Sequence, residues 1–264
     1  MSSPERTLLK RLSRRTQLIE QIREGVIDKR ALTERLDVSR ATIDRAVREL
    51  ESAGVIERTG EGYALTLVGE LAYAEFHRLL DRFETISRAR GLLSLLPREF
   101  EIDPAVLDDA EIVLAEQPMP HEPLERFEEL LEEHDRATVY SPIGFPTSIS
   151  AVHHQITETE TELELFLDER LVERLRTDYE EGLRNVLGAE NATLRQLPPD
   201  RGLDVMLASF DDRAVWIGVY DDDGDVRGAI TLESERALEW ARERFDRCRE
   251  AGREVPPSSE GEDE

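Results

Sequence analysis

Arg40, Thr42, Arg45 and Arg48 fall within one short stretch, RATIDRAVR, and their types suit one kind of chemistry. A guanidinium can donate two parallel hydrogen bonds to N7 and O6 of guanine, and a threonine methyl can meet the methyl of thymine. Ile43, Ala46, Val47 and Leu50 are interleaved with them at helical spacing. A helix would therefore turn the apolar set inward and the arginines outward. The pattern predicts Arg40, Thr42 and Arg45 as base-reading side chains, with Ser39 and Arg48 as phosphate contacts. Ser39 also stands where a hydroxyl caps a helix.

The neighbouring residues supply what would hold that helix. Ala31, Leu32 and Leu36 are apolar at helical spacing behind Asp28, a second candidate N-cap, and Asp37-Val38 make a short break. Gly54 sits where a helix ends best with a residue tolerant of positive φ. Val55-Ile56 and Tyr63–Leu65 predict two strands joined through Thr59-Gly60-Glu61-Gly62. Helix, tight turn, helix and hairpin in this order describe a winged helix-turn-helix over residues 1–66, whose second helix would enter a major groove. Arg58 and Tyr63 on the wing are candidate contacts to the DNA backbone or minor groove. Winged helices also serve as protein-contact modules; the exposed arginines favour double-stranded DNA as the partner.

A formal net charge of −25 runs against binding a polyanion until its distribution is considered. Residues 1–60 carry 13 Lys and Arg against 10 Asp and Glu, while the remainder carries 21 against 49. Only Lys10 and Lys29 are lysines among 34 basic residues. A lysine-poor acidic surface suits a halophilic, salt-accumulating cytoplasm, where dense salt screens carboxylate repulsion. Counterion release contributes less there, so affinity must lean on base contacts, shape and dimerisation. No apolar run reaches the roughly 20 residues of a membrane span. No apolar signal region opens the chain, so a cytoplasmic protein with no membrane partner is expected. Cys248 is the only cysteine and forms no internal disulfide; it lies on an apolar helical stripe, as a structural thiol would.

Before and after the winged module the pattern stays helical. Residues 6–24 predict an opening helix whose Lys10, Arg11, Arg14 and Arg15 either reach phosphates or form a solvated basic face. Thr66 can cap a long helix to about Arg90, within a linker or dimerisation segment over 67–96. Val68, Ala72, Phe76, Leu79, Phe83 and Ile86 recur there at near-heptad spacing. Two explanations stand, a homodimer seam and intramolecular packing. Gly91, Pro97 and Pro104 mark a domain boundary between 91 and 105.

Strands then alternate with helices over 105–252. Strands are expected at 112–115, 137–140, 163–167, 192–197, 203–209, 213–219 and 226–232. Helices are expected at 122–134, 147–157, 168–187 and around Leu238 to Cys248. The chain is thus α/β overall and multi-domain, with a C-terminal sheet layered by helices. An acidic tail over 253–264, above all after Pro256, is expected to be disordered. Loops at strand ends are where a small-molecule effector would bind. The candidate pocket residues are Tyr140, Ser141, Asp168, Ser209, Asp211, Arg213 and Trp216, with Tyr220 beside Trp216 as an aromatic wall. Ordinary turn formers and core aromatics would have the same sequence.

No catalytic pattern is found: no G-x-G-x-x-G, no G-x-x-x-x-G-K-[ST] and no H-E-x-x-H. Hydrolysis of the phospholipase-D type needs a histidine and a lysine two residues apart, and no lysine follows Lys29. His153 and His154 are adjacent and diverge on a helix, so no metal site is assigned, nor any cofactor. The chain is read as a non-enzyme.

The segment LTERLDVSRATIDRAVRELESAGVIERTGEGYALT resembles the archaeal winged-helix transcriptional regulators of the methanogenesis-regulator type. In these an N-terminal reader precedes an α/β middle domain. FLDERLVERLRTDYEEGLRNVLG and LDVMLASFDDRAVWIGVYDDDGDVRGAITL are similar to that domain. More distantly, the C-terminal domain resembles the effector domain of TrmB-like regulators, a non-catalytic relative of the phospholipase-D fold. The resemblance implies a dimeric, sequence-specific transcription regulator and leaves the effector, and the choice between activation and repression, open.

Overall fold

The computed structural model describes residues 3–25 and 28–256. The chain divides into two compact units, up to Phe83 and from Glu84 onward. That division falls earlier than the 91–105 span to which Gly91 and Pro97 pointed.

The first unit comprises α1 (Pro4–Arg23), α2 (Lys29–Leu36), α3 (Arg40–Ser52), β1 (Ile56–Arg58), β2 (Tyr63–Leu65) and most of α4 (Leu67–Arg88). Each cap follows from a short polar side chain. An Asp28 carboxylate oxygen accepts from the amides of Arg30 and Ala31, both at 2.8 Å, and the Ser39 hydroxyl accepts from the Thr42 amide at 3.2 Å. Asp37 ends α2 in the left-handed region (φ 49°, ψ 44°), a conformation that Asp tolerates better than most residues. Gly54 follows α3 at φ 69°. β1 and β2 pair antiparallel, Arg58 opposite Tyr63, so the expected wing is present. Ile43, Ala46, Val47 and Leu50 of α3 join Leu18, Ile19 and Leu32 in one core.

Gly69 shows how tightly α4 closes this unit. A Cβ built there would stand 2.0 Å from the Val55 carbonyl oxygen, a backbone atom with no freedom to swing away. Gly69→Ala is therefore expected to cost at least the ~1–3 kcal/mol of an overpacked core. A drop in the melting transition of the first unit, followed by circular dichroism, is the check.

The second unit begins with the end of α4 and α5 (Arg90–Leu93), followed by a 3-10 turn (Pro104–Leu107). Next come β3 (Glu111–Leu114), α6 (Glu122–Glu133), β4 (Arg136–Ser141), α7 (Pro146–Glu158) and β5 (Glu162–Asp168). After them lie α8 (Glu169–Asp178), α9 (Glu180–Gly188), β6 (Ala192–Leu197), β7 (Met206–Phe210), β8 (Ala214–Tyr220), β9 (Val226–Leu232), α10 (Glu235–Ala251) and β10 (Arg253–Glu254). Eight strands form one sheet in the order β10-β6-β5-β4-β7-β8-β9-β3. β4, β5 and β6 are parallel, which requires the helical crossovers between them; the remaining pairs are antiparallel. Alternation along β5 shows that both faces are covered. Leu163, Leu165 and Leu167 pack in a core with α6 to α9, whereas Phe166 packs in another with α10. This is the expected α/β layer.

Two expectations are corrected, and a third divides. The helix expected over 168–187 is two helices broken at exposed Tyr179 (φ −139°, ψ 37°), and the break re-aims Leu183 and Val186 into the core. The tail expected from 253 instead begins with an edge strand, since Arg253 and Glu254 pair with β6 and Val255 is buried. Its residues after Pro256 lie outside the described residues. On α4, intramolecular packing takes only part of the near-heptad stripe. Ala72 and Phe76 pack in the first core and Ile86 in the second unit's core, while Val68, Leu79 and Phe83 are exposed. The 3.6-residue turn carries a strict seven-residue repeat around the helix, so its members meet different surroundings.

Cys248 is buried on the inner face of α10, and burial pushes its thiol up to about 11. Iodoacetamide at pH 8 is expected to leave it unmodified in the folded chain and to alkylate it fully in denaturant, as mass spectrometry would read. Among the described residues no helix is long and apolar enough to cross a membrane.

Candidate nucleic-acid interface and effector cavity

α3 presents Arg40, Ala41, Thr42, Arg45 and Arg48 as exposed residues along one side. Two of the helix's three carboxylates are drawn away from that side. Lys29 Nζ of α2 lies 2.6 Å from Asp44 Oδ1, and Arg15 Nη2 of α1 lies 2.7 Å from Glu49 Oε2. The hydrogen bond from Lys29 lowers the Asp44 pKa and raises that of Lys29, and the Arg15 contact lowers that of Glu49. Each pairing neutralises an acid that would otherwise repel a phosphate backbone. Among the described residues Arg40 and Arg45 have no hydrogen-bond or ion-pair partner for their side chains, so their guanidinium forks are available to a ligand. Here one of the two lysines has a definite task.

The other expected contacts divide. Arg58 is exposed on the hairpin. Arg48 is exposed too, with Nε donating to the Asp44 carbonyl at 3.1 Å, which leaves its terminal nitrogens outward. The hydroxyls of Ser39 and Thr42 face each other at 2.9 Å, so the cap engages both. Tyr63 is not a wing contact. It is buried in the first core with Lys29 Nζ 5.7 Å from its ring centre, because Tyr63 opens β2 on the face turned to α1 and α2. Of the basic residues on α1, Arg15 is committed to Glu49, while Arg14 is exposed. Arg14 borders a hollow of about 360 Å³ shared with Ser13, Gln17, Val38 and Thr42. The crossing of α1 over the start of α3 places these groups together, and no sequence periodicity reports such a crossing.

The seven expected effector residues do not form one site. β4 and β7 are antiparallel, so Tyr140, Ser141 and Asp168 lie at one end of the sheet and Ser209, Asp211 and Arg213 at the other. Asp211 is a turn residue (φ 48°) whose carboxylate accepts from the Asp135 amide at 3.3 Å. Asp168 caps α8 by accepting from the Arg170 amide at 2.9 Å. The Tyr140 ring packs on the α10 side of the sheet, where burial raises its pKa. Trp216 is on the opposite face, its indole N–H donating to the Pro123 carbonyl at 3.2 Å. Tyr220 is half-buried against that same core, and burial raises its pKa.

A cavity of about 480 Å³ does lie in the second unit, between the sheet face carrying Trp216 and helices α6 to α9. Ser141 and the loop through Ile143 and Gly144 form part of its rim. Phe127, Leu165, Leu171 and Met206 wall it, while Ser148, Ser150, His153, Glu181 and Asn185 are among its polar groups. Sequence reasoning weighs His153 only for a metal and misses Ser148 on α7 and Asn185 on α9, which carry no signal beyond a helical pattern.

A model of the middle domain of the methanogenesis regulatory protein FilR1 matches residues 120–251, and a model of the HVO_A0261 N-terminal domain matches residues 5–88. No curated protein matches. Among solved structures, TrmBL2, described as an archaeal chromatin protein with a novel mode of DNA binding, is 16% identical over 83% of this chain and 84% of its own, with a TM-score of 0.42. Nuc of Salmonella typhimurium, a phospholipase D family member, is 11% identical over 56% of this chain and 97% of its own, with a TM-score of 0.44. The IclR protein of Thermotoga maritima is 13% identical over 92% of this chain and 98% of its own, with a TM-score of 0.23. The match across half of the sequence places the chain in the family defined by the middle domain of the methanogenesis regulatory protein FilR1.

Proposed function

We propose that this protein is a sequence-specific, DNA-binding transcriptional regulator that acts as a homodimer in a salt-accumulating cytoplasm. One observation carries most weight: the outer side of α3 holds two arginines with no partner among the described residues, and two of the helix's three acids are paired from α1 and α2. Such a surface suits a major groove, Arg40 and Arg45 addressing guanine edges and Arg14, Arg48 and Arg58 the phosphates. The dimer is assigned to α4, where Leu67, Val68, Leu71, Leu79 and Phe83 are 76%, 55%, 61%, 36% and 59% exposed. A second copy would cover this face, and paired readers suit two-fold half-sites. The second unit is read as a sensor without catalysis: no lysine follows Lys29, and its cavity is apolar. Selection of bound duplexes from a random library in multimolar potassium chloride tests the assignment. A repeated, palindromic motif is the expected result. Recovery of no motif at any salt would remove sequence-specific reading.

A further inference from the structure

We infer that the cavity of the second unit takes a neutral, mainly apolar small molecule with one hydrogen-bonding end. The inference rests on the second unit being a sensor and names the class of effector. A volume of about 480 Å³ lies within the usual range for small-molecule sites, and the walls are built mainly from Leu, Ile, Val, Phe, Met and Trp side chains. No Lys or Arg lines it, and the one charged lining residue is Glu181. A phosphate, nucleotide or carboxylate would enter a mainly apolar space without a cationic partner, a costly arrangement away from water. A sugar would bring many hydroxyls into a space with few partners, each unsatisfied one carrying a desolvation penalty.

Most polar groups of the lining are already occupied. The Ser141 hydroxyl donates to the Ile143 carbonyl at 2.5 Å, Ser150 Oγ donates to the Pro146 carbonyl at 2.8 Å, and His153 Nε2 is 3.2 Å from Asn185 Nδ2. Ser148 Oγ differs: it is shielded from solvent, lines the cavity and has no hydrogen-bond partner among the described residues. A buried hydroxyl left unpaired is uncommon and calls for a partner. An alcohol, ketone or amide end of a ligand supplies one, with the apolar body against Trp216, Phe127 and Met206.

The test uses the full chain and Nile red, a neutral apolar dye, displaced by straight-chain alcohols from hexanol to decanol or by the matching carboxylates at pH 8. One dye per chain is expected, with alcohol affinity rising about fourfold per added methylene until the cavity is full. Carboxylates should compete at least tenfold less well. Val152→Trp, which fills the space from α7, should abolish dye binding; Ser148→Ala should weaken alcohols about fivefold and leave the dye unaffected. Absence of dye binding, carboxylates matching alcohols, or alcohols indifferent to Ser148→Ala would each overturn the inference. A parallel gel shift separates the two levels. Alcohol binding that leaves DNA affinity unchanged supports the ligand class and removes the sensing role alone.

Discussion

Replacing Arg40 and Arg45 together by alanine is expected to lower affinity for the selected operator at least a hundredfold while the protein stays folded. A good bidentate contact to a base contributes ~1–3 kcal/mol, so losing two per reader removes ~2–6 kcal/mol. Stability should change little, by about 0.5 kcal/mol or less, because both side chains are exposed and neither holds an ion pair among the described residues. Alanine is also the better helix former, which acts in the same direction. The discriminating measurement is competition between operator and random duplex. The double variant should lose the preference itself, whereas Arg48→Ala should weaken both duplexes alike and reduce the salt slope by about 0.9 per lost phosphate contact. A double variant that still prefers its operator would show that α3 is not the reader.

The same geometry gives a contrasting expectation for residues beneath the reader. Arg15 holds Glu49 and Lys29 holds Asp44. Removing either base should leave an acid beside the phosphates and weaken operator and random duplexes together. The loss would be electrostatic and steepest at low salt, since a charge beyond roughly 3 Å is screened at molar ionic strength.

What the sequence disclosed depended on how local its cause was. Caps, the α3 stripe and the hairpin arise within a few residues of one another, and Asp28, Ser39, Gly54 and the Arg58–Tyr63 pair stand where their types demanded. The sheet strands were legible for the same reason, each being a short run of apolar or alternating residues. Relations across the chain were not. Nothing local distinguishes Tyr63 at a wing tip from Tyr63 beneath Lys29, and only the antiparallel pairing of β4 with β7 separates Ser209, Asp211 and Arg213 from Ser141. Asp168 and Asp211 suited a polar pocket by type. In the fold they satisfy backbone amides, as Asp does in turns and caps. The apolar cavity escaped notice because its lining looks in sequence like any other core, and an unfilled core is a matter of packing that one sequence cannot record.

Leu71→Glu combined with Phe83→Glu is expected to convert the proposed dimer into a monomer, with a loss of operator affinity of about a hundredfold to ten-thousandfold. Both side chains are largely exposed, so neither charge enters a core, and the buried side of α4 keeps Tyr73 and Phe76 in place. Across a two-fold seam each substitution would instead appear on both helices, setting carboxylates against the partner's apolar residues and against each other. Paired readers bind the second half-site within one complex, at an effective concentration in the millimolar range, and a monomer forfeits that advantage without losing any contact of its own. Light scattering should report the halved mass, and a single half-site should be bound equally by wild type and variant. That equality matters most: a weakened half-site would mean that the substitutions had damaged the reader. A variant that remains dimeric would move the seam to another surface, such as the short edge strands β3 and β10. The apolar residues of α4 would then need a different partner.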